Sequence, residues 1–192
     1  MKKNISVTER IFPTPVLVVG TYDVNGKPNA ITLAWGGVAA SDPAAISIAV
    51  RPSRYSHEAL MRTKVFTVNL PSARHADEVD FFGIVSGRKI DKFAATGLTP
   101  VRSEHVNAPY ILEFPYIMEC EVTHTLDLGS HTLFVGAVKG VKVDESLLDA
   151  DNNLVWENAQ ILTFDAMRRE YRSPGECVAQ AFEAGTRFID RT

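Results

Sequence analysis

Four separated stretches carry polar or cationic side chains at breaks in secondary structure: Asn29, Thr32 and Trp35 in NAITLAWGG (29–37), RPSRYSH (51–57), SGRKIDKF (86–93) and GSH (129–131). The second is the most telling. It offers Arg51 and Arg54 with the hydroxyls of Ser53, Tyr55 and Ser56 where a strand gives way to a helix. Free N–H groups and the helix dipole at such a start favour a phosphate. The same residues also suit a solvated turn capped by Ser53 or Ser56. Lys92 supplies a further cation, and His131 a titratable ring beside a turn.

Motifs that would announce other chemistry are missing: the chain has no GxSxG, GxGxxG, P-loop or HExxH. His57, His75, His105, His124 and His131 are scattered. His124 and His131 flank one turn and could converge, but no carboxylate or thiolate stands at ligand spacing, so no metal is expected. Cys120 and Cys177 lie far apart and outside CxxC spacing, and both are expected to be core thiols in a reducing compartment.

The elements that must position these residues read as mostly β. Short apolar or alternating runs at 16–20, 46–50, 64–70, 117–123, 131–143 and 161–164 predict strands, and another begins at Asn29 after the Asn25-Gly26 turn. Helices are expected over 55–63, 72–80 and 89–96, the last stopped by Gly97. The tail ECVAQAFEAG (176–185) predicts an amphipathic helix, with Ser173 as its cap and Pro174 at its first position. Six to eight short antiparallel strands with a few small helices point to a barrel.

With 192 residues, 45% apolar content and 22% charged, one domain spanning 1–192 is expected to bury a sizeable core. A net charge of −3 argues against nucleic acid as a partner. No stretch approaches the ~18 apolar residues of a membrane span, and no apolar run follows the two N-terminal lysines, so a cytoplasmic location without membrane attachment is expected.

Taken in order, PTPVLVVGTYDVNGKPNAITLAW, IAVRPSRYSHEAL, FTVNLPS, VDFFGIVSGRKIDKF and GSHTLFVGAV resemble the flavin reductase-like family of FMN-binding split-barrel proteins, flavoredoxins most of all, over residues 12–185. The resemblance implies a mainly β fold: a six-stranded antiparallel Greek-key split barrel with a few short helices. It also implies a homodimer, with FMN held non-covalently near the subunit boundary. Asn29, Ala30, Ile31 and Thr32 would run along the isoalloxazine, with Trp35 near the rings. Arg54, Tyr55 and Ser56 would surround the ribityl chain and phosphate, with Arg51 and Ser53 beside them. Lys92 would serve the phosphate, while His131 and Phe164 would border the ring. Many members carry Gly-Asp-His where this chain has Gly129, Ser130 and His131, so an acidic partner for the histidine is missing.

The implied activity is oxidoreductase or electron carrier. Electrons would come from NAD(P)H or a redox protein and leave to free flavin, ferric iron or a protein partner. No catalytic side chain is required, because the flavin performs the transfer and the fold orients it. A barrel that only stores or senses flavin, or that binds another phosphorylated ligand, is the alternative. Lys92 is expected to be an exposed helix lysine that contributes little to folding.

Overall fold

The computed structural model describes residues 1–191, with side chains through Ile189. In chain order the strands begin with β1 (Thr14–Pro15), β2 (Leu17–Tyr22), β3 (Pro28–Leu33), β4 (Gly36–Ser41), β5 (Ala44–Val50) and β6 (Val65–Leu70). They continue with β7 (Pro100–Arg102), β8 (Pro109–Ile111), β9 (Tyr116–Asp127), β10 (Thr132–Val143), β11 (Thr163–Asp165) and β12 (Glu170–Arg172). The helices are α1 (Tyr55–Thr63), α2 (Ala76–Ile84) and α3 (Lys92–Thr96).

Seven strands form the main antiparallel sheet in the order β3-β2-β6-β9-β10-β5-β4. The strand pattern predicts six to eight, and the resemblance implies six. The extra strand arises because one expected strand is bent at Ala34 and Trp35, its first half pairing with β2 and its second with β5. The two ends of the pairing order are thus consecutive in the chain, and the bend joins them around the core. At the bend the Ala49 N–H donates to the Trp35 carbonyl at 2.8 Å.

The run VLVVG does not alternate, because β2 is covered on both faces. Val19 points into the barrel with Ile31, Ile48, Phe66, Val68 and Phe134. Its neighbour Val18 points outward, with Ala30, onto Val79, Phe82 and Phe93 of the helical layer and Phe114 of the β8–β9 connection. Each such buried side chain contributes about 1.5–3 kcal/mol. The layer on the outer face therefore fixes α2 and α3 against β3, the strand that carries Asn29 to Thr32.

The helix boundaries differ from expectation for identifiable reasons. A 3-10 turn (Ala73–His75) leads into α2, which starts at Ala76 and runs on to Ile84. The third helix starts at Lys92, because the Asp91 carboxylate accepts from the Ala94 N–H at 3.1 Å and so caps it there. Gly97, at φ 73°, ends it in the left-handed conformation. The tail forms no α-helix among the described residues, only a 3-10 helix at Thr186–Arg191. Val178 and Phe182 are 97% and 100% exposed, so the apolar face read in 176–185 packs on nothing among the described residues, and short helices draw their stability from such packing. Cys177 is exposed, not a core thiol. Cys120 is buried, and that burial, with the charge of Glu119 added, pushes its thiol up to about 12. Among the described residues no helix is long and apolar enough to cross a membrane.

Candidate functional site

Asn29, Ser53, Arg54, Tyr55, Ser56 and Lys92 line one small recess of about 100 Å³ at the start of α1. Neither serine caps the helix. Its N-cap is Arg54, which makes no side-chain capping bond, while the Ser56 hydroxyl accepts from Asn29 Nδ2 at 2.9 Å. The next residue, His57, is hydrogen-bonded through Nε2 to the Thr132 hydroxyl at 2.8 Å. The first turn of α1 is thereby tied to β3 on one side and to β10 on the other. Tyr55 is fixed too, its hydroxyl donating to Asp23 at 2.9 Å.

Lys92 departs from expectation. It is only 4% exposed, and its ammonium donates to the carbonyls of Ala30 and Phe82, each at 2.7 Å. It sits at the first position of α3, directly under the outer edge of β3, which is why burial follows from topology rather than from helix periodicity. Burial first, and then the neighbouring Arg54, lower its pKa to about 8. Among the described residues neither Lys92 nor Arg54 is in an ion pair. Asn29 Oδ1 is buried without a hydrogen-bond partner. Two uncompensated cations, an uncapped helix start and an orphaned acceptor make a recess suited to an anion that carries hydroxyl groups nearby.

A wider cleft of about 580 Å³ opens from this recess, the two sharing Ile31, Arg54 and Gly83. Thr32, Trp35, Arg51, His131 and Phe164 line it. Thr32 is held by donating to the Val79 carbonyl at 2.6 Å. Trp35 is 43% exposed, so it is a wall and not a core residue, and it stacks on His131 with centroids 6.3 Å apart and planes 13° apart. Burial, and then Arg51, lower the His131 pKa, which favours the neutral ring near pH 7. Phe164 packs on Tyr171 at 5.6 Å.

Two expected roles change. The Ala30 side chain is fully buried and lines neither cavity; its contribution is the carbonyl held by Lys92. Because that carbonyl turns away from β2, the alternation of antiparallel pairing turns the main chain of Thr32 outward as well, and among the described residues no strand pairs with that edge of β3. Arg51 lies at the wide end of the cleft, away from the recess. Sequence reasoning missed Arg10, Asp80, Arg169 and Tyr171, which reach the cleft from distant parts of the chain, and Gly87 in the recess. The Tyr171 hydroxyl donates to Asp80 at 3.1 Å, and burial together with that carboxylate raises its pKa. Only Gly87, inside SGRKIDKF, had a legible signal.

Comparison with known proteins adds three findings. A family profile described as flavin reductase like domain matches residues 9–164. The flavoredoxin of Desulfovibrio vulgaris (Miyazaki F) superposes with a TM-score of 0.91 at 39% identity, covering 96% of this chain and 100% of that one, and the flavoredoxin from Methanosarcina acetivorans does so at 0.88 and 26%, covering 97% and 100%. An uncharacterized protein of Aeropyrum pernix is 30% identical over 139 residues, 72% of this chain, and the match spans about half (53%) of that relative's length.

Proposed function

Because this chain belongs to the flavin reductase-like family, we propose that the recess and the cleft together hold FMN and that the protein passes electrons through it. The observation that carries this reading is their junction at Ile31, Arg54 and Gly83, which sets a small cationic pocket at one end of a broad, partly aromatic slot. Arg54, Lys92 and the first turn of α1 would hold the phosphate, and the outward main chain around Thr32 would meet the polar edge of the ring. A recess of about 100 Å³ accommodates a terminal phosphate rather than a further nucleotide, which supports FMN over a dinucleotide flavin.

Bound there, the flavin supplies reversible redox chemistry, and the protein supplies orientation. Trp35 and Phe164 would form apolar walls of the slot, and Asn29 Oδ1 would accept from a ribityl hydroxyl. No side chain need act as acid or base. The donor would be NAD(P)H or a redox protein, and the acceptor free flavin, ferric iron or a protein. A homodimer belongs to the same reading, supported by Val38, 80% exposed on the terminal strand β4.

Anaerobic stopped-flow reduction of the FMN-loaded protein by NADH, NADPH and dithionite in parallel tests this. Bleaching by a nicotinamide identifies a reductase, and bleaching by dithionite alone identifies a carrier or a flavin-storing module. Protein that stays colourless and refuses FMN overturns the assignment. Trp35→Ala is expected to weaken FMN binding roughly threefold to tenfold, from an aromatic contact of about 0.5–1.5 kcal/mol. It should also raise the emission of the bound flavin; unchanged emission removes the indole from the ring.

A further inference from the structure

The mouth of the cleft carries more cationic charge than one phosphate needs. Arg10, Arg51, Arg54 and Arg169 all line it and are all exposed. Among the described residues none of the four forms an ion pair. Only two carboxylates share the lining, Glu9 and Asp80, and Asp80 already accepts from Tyr171. This concentration of positive charge sits on a chain whose net charge is −3. Between the arginines lie exposed apolar surfaces, Trp35 at 43% and Ile84 at 71%.

We propose that this mouth is a docking surface for a small acidic one-electron carrier protein, an inference that rests on the flavin reading above. Protein interfaces combine a core rich in aromatic residues and arginine with a polar rim, and exposed charge of one sign steers an oppositely charged partner. The deep recess shows what a built site for a small anion looks like in this molecule: a buried ammonium, an orphaned acceptor and an uncapped helix. Around Arg10, Arg51 and Arg169 there is none of these: their side chains are exposed about an open apolar centre. That pattern fits a macromolecular face rather than a second small anion. Two encounters would deliver two electrons to the flavin, oxidise two carriers and draw the accompanying protons from solvent.

The test uses a reduced acidic bacterial ferredoxin as the probe and a basic c-type cytochrome as the counter-probe, with the FMN-loaded full chain in anaerobic stopped-flow. Flavin reduction by ferredoxin is expected to slow about tenfold between low salt and roughly 0.3 M salt, as screening shortens the reach of exposed charges. Arg10→Glu with Arg169→Glu is expected to slow it about tenfold at low salt, measured at saturating FMN so that any change in flavin affinity does not enter the rate, and relative to the dithionite rate of the same variant. Arg10→Glu alone is the second variant, at an exposed position where folding is not at risk. Calorimetry with oxidised ferredoxin and FMN-free protein should show salt-sensitive association that the variants lose. Salt-independent reduction, faster exchange with the cytochrome, unchanged variants, or variants that lose only nicotinamide dinucleotide binding or self-association would each overturn the proposal. Failure of dithionite to bleach the protein would strike the flavin reading instead, and the calorimetric arm would still decide the docking surface.

Discussion

Lys92→Ala is expected to lower the melting temperature by about 6–12 °C and to abolish tight FMN binding. The ammonium is the donor to two carbonyls, Ala30 on β3 and Phe82 on α2. Truncation leaves both without it, at about 1–3 kcal/mol for each buried group left unsatisfied. Relief from burying a charge offsets part of that, and a net of about 3 kcal/mol at about 2–4 °C per kcal/mol gives the stated shift. Lys92→Met, which keeps the stem and loses the donors, should show most of the same loss. A melting temperature unchanged in both variants would mean that the two carbonyls find water or other donors.

The same lysine sets opposite pH trends in the free and loaded protein. Its pKa falls from 10.5 to about 8 on folding, so between those values the unfolded chain holds the proton that the folded chain has released. Stability rises with pH wherever the unfolded state binds more protons, so this group favours the apoprotein increasingly as pH climbs from about 8 to 10.5. FMN affinity is expected to move the other way, weakening above about 8 as the cation proposed to hold the phosphate is lost. Melting curves of apoprotein and fluorescence titrations with FMN over that range should diverge. Their running in parallel would place the phosphate away from Lys92.

Gly87→Ala is expected to weaken FMN binding tenfold or more while leaving lumiflavin affinity nearly unchanged. A Cβ at this position would collide with Asn29 Oδ1 and stand 2.8 Å from the Tyr55 ring. Neither neighbour can yield easily, since Asn29 is held by Ser56 and Tyr55 by Asp23. Overpacking of this kind costs about 1–3 kcal/mol, and about 1.4 kcal/mol taken from the bound state is a factor of ten in Kd. Lumiflavin lacks both the ribityl chain and the phosphate and so reports on the cleft alone. An equal loss for both flavins would put Gly87 under the ring.

The barrel was legible because its strands are apolar or alternating runs separated by strong turn signals such as Asn25-Gly26. The recess was legible in outline, since Asn29, Arg54, Ser56 and Lys92 sit beside breaks in structure. What a linear pattern could not convey was depth. A lysine at the start of a five-residue helix looks solvent-facing until the strand it lies beneath is known, and Lys92 is buried for that reason. Arg51 and Arg54, three residues apart, looked like one site, yet Arg51 stands only at the wide end while Arg54 is at the junction. Arg10, Asp80 and Tyr171 carried no local signal, because only the closed sheet and its flanking layers bring them together. The tail 176–185 shows the converse: its apolar period is clear, but among the described residues no surface receives it.

The double tether on the first turn of α1, from Ser56 to Asn29 and from His57 to Thr132, has a consequence for ligand capture. The amides that would meet the phosphate of the proposed ligand are held by these tethers in the folded chain, so conformational entropy would not be lost again at each encounter. Uptake would then be limited by diffusion into a rigid socket, with the residence time set by the strength of contacts rather than by the opening of a loop.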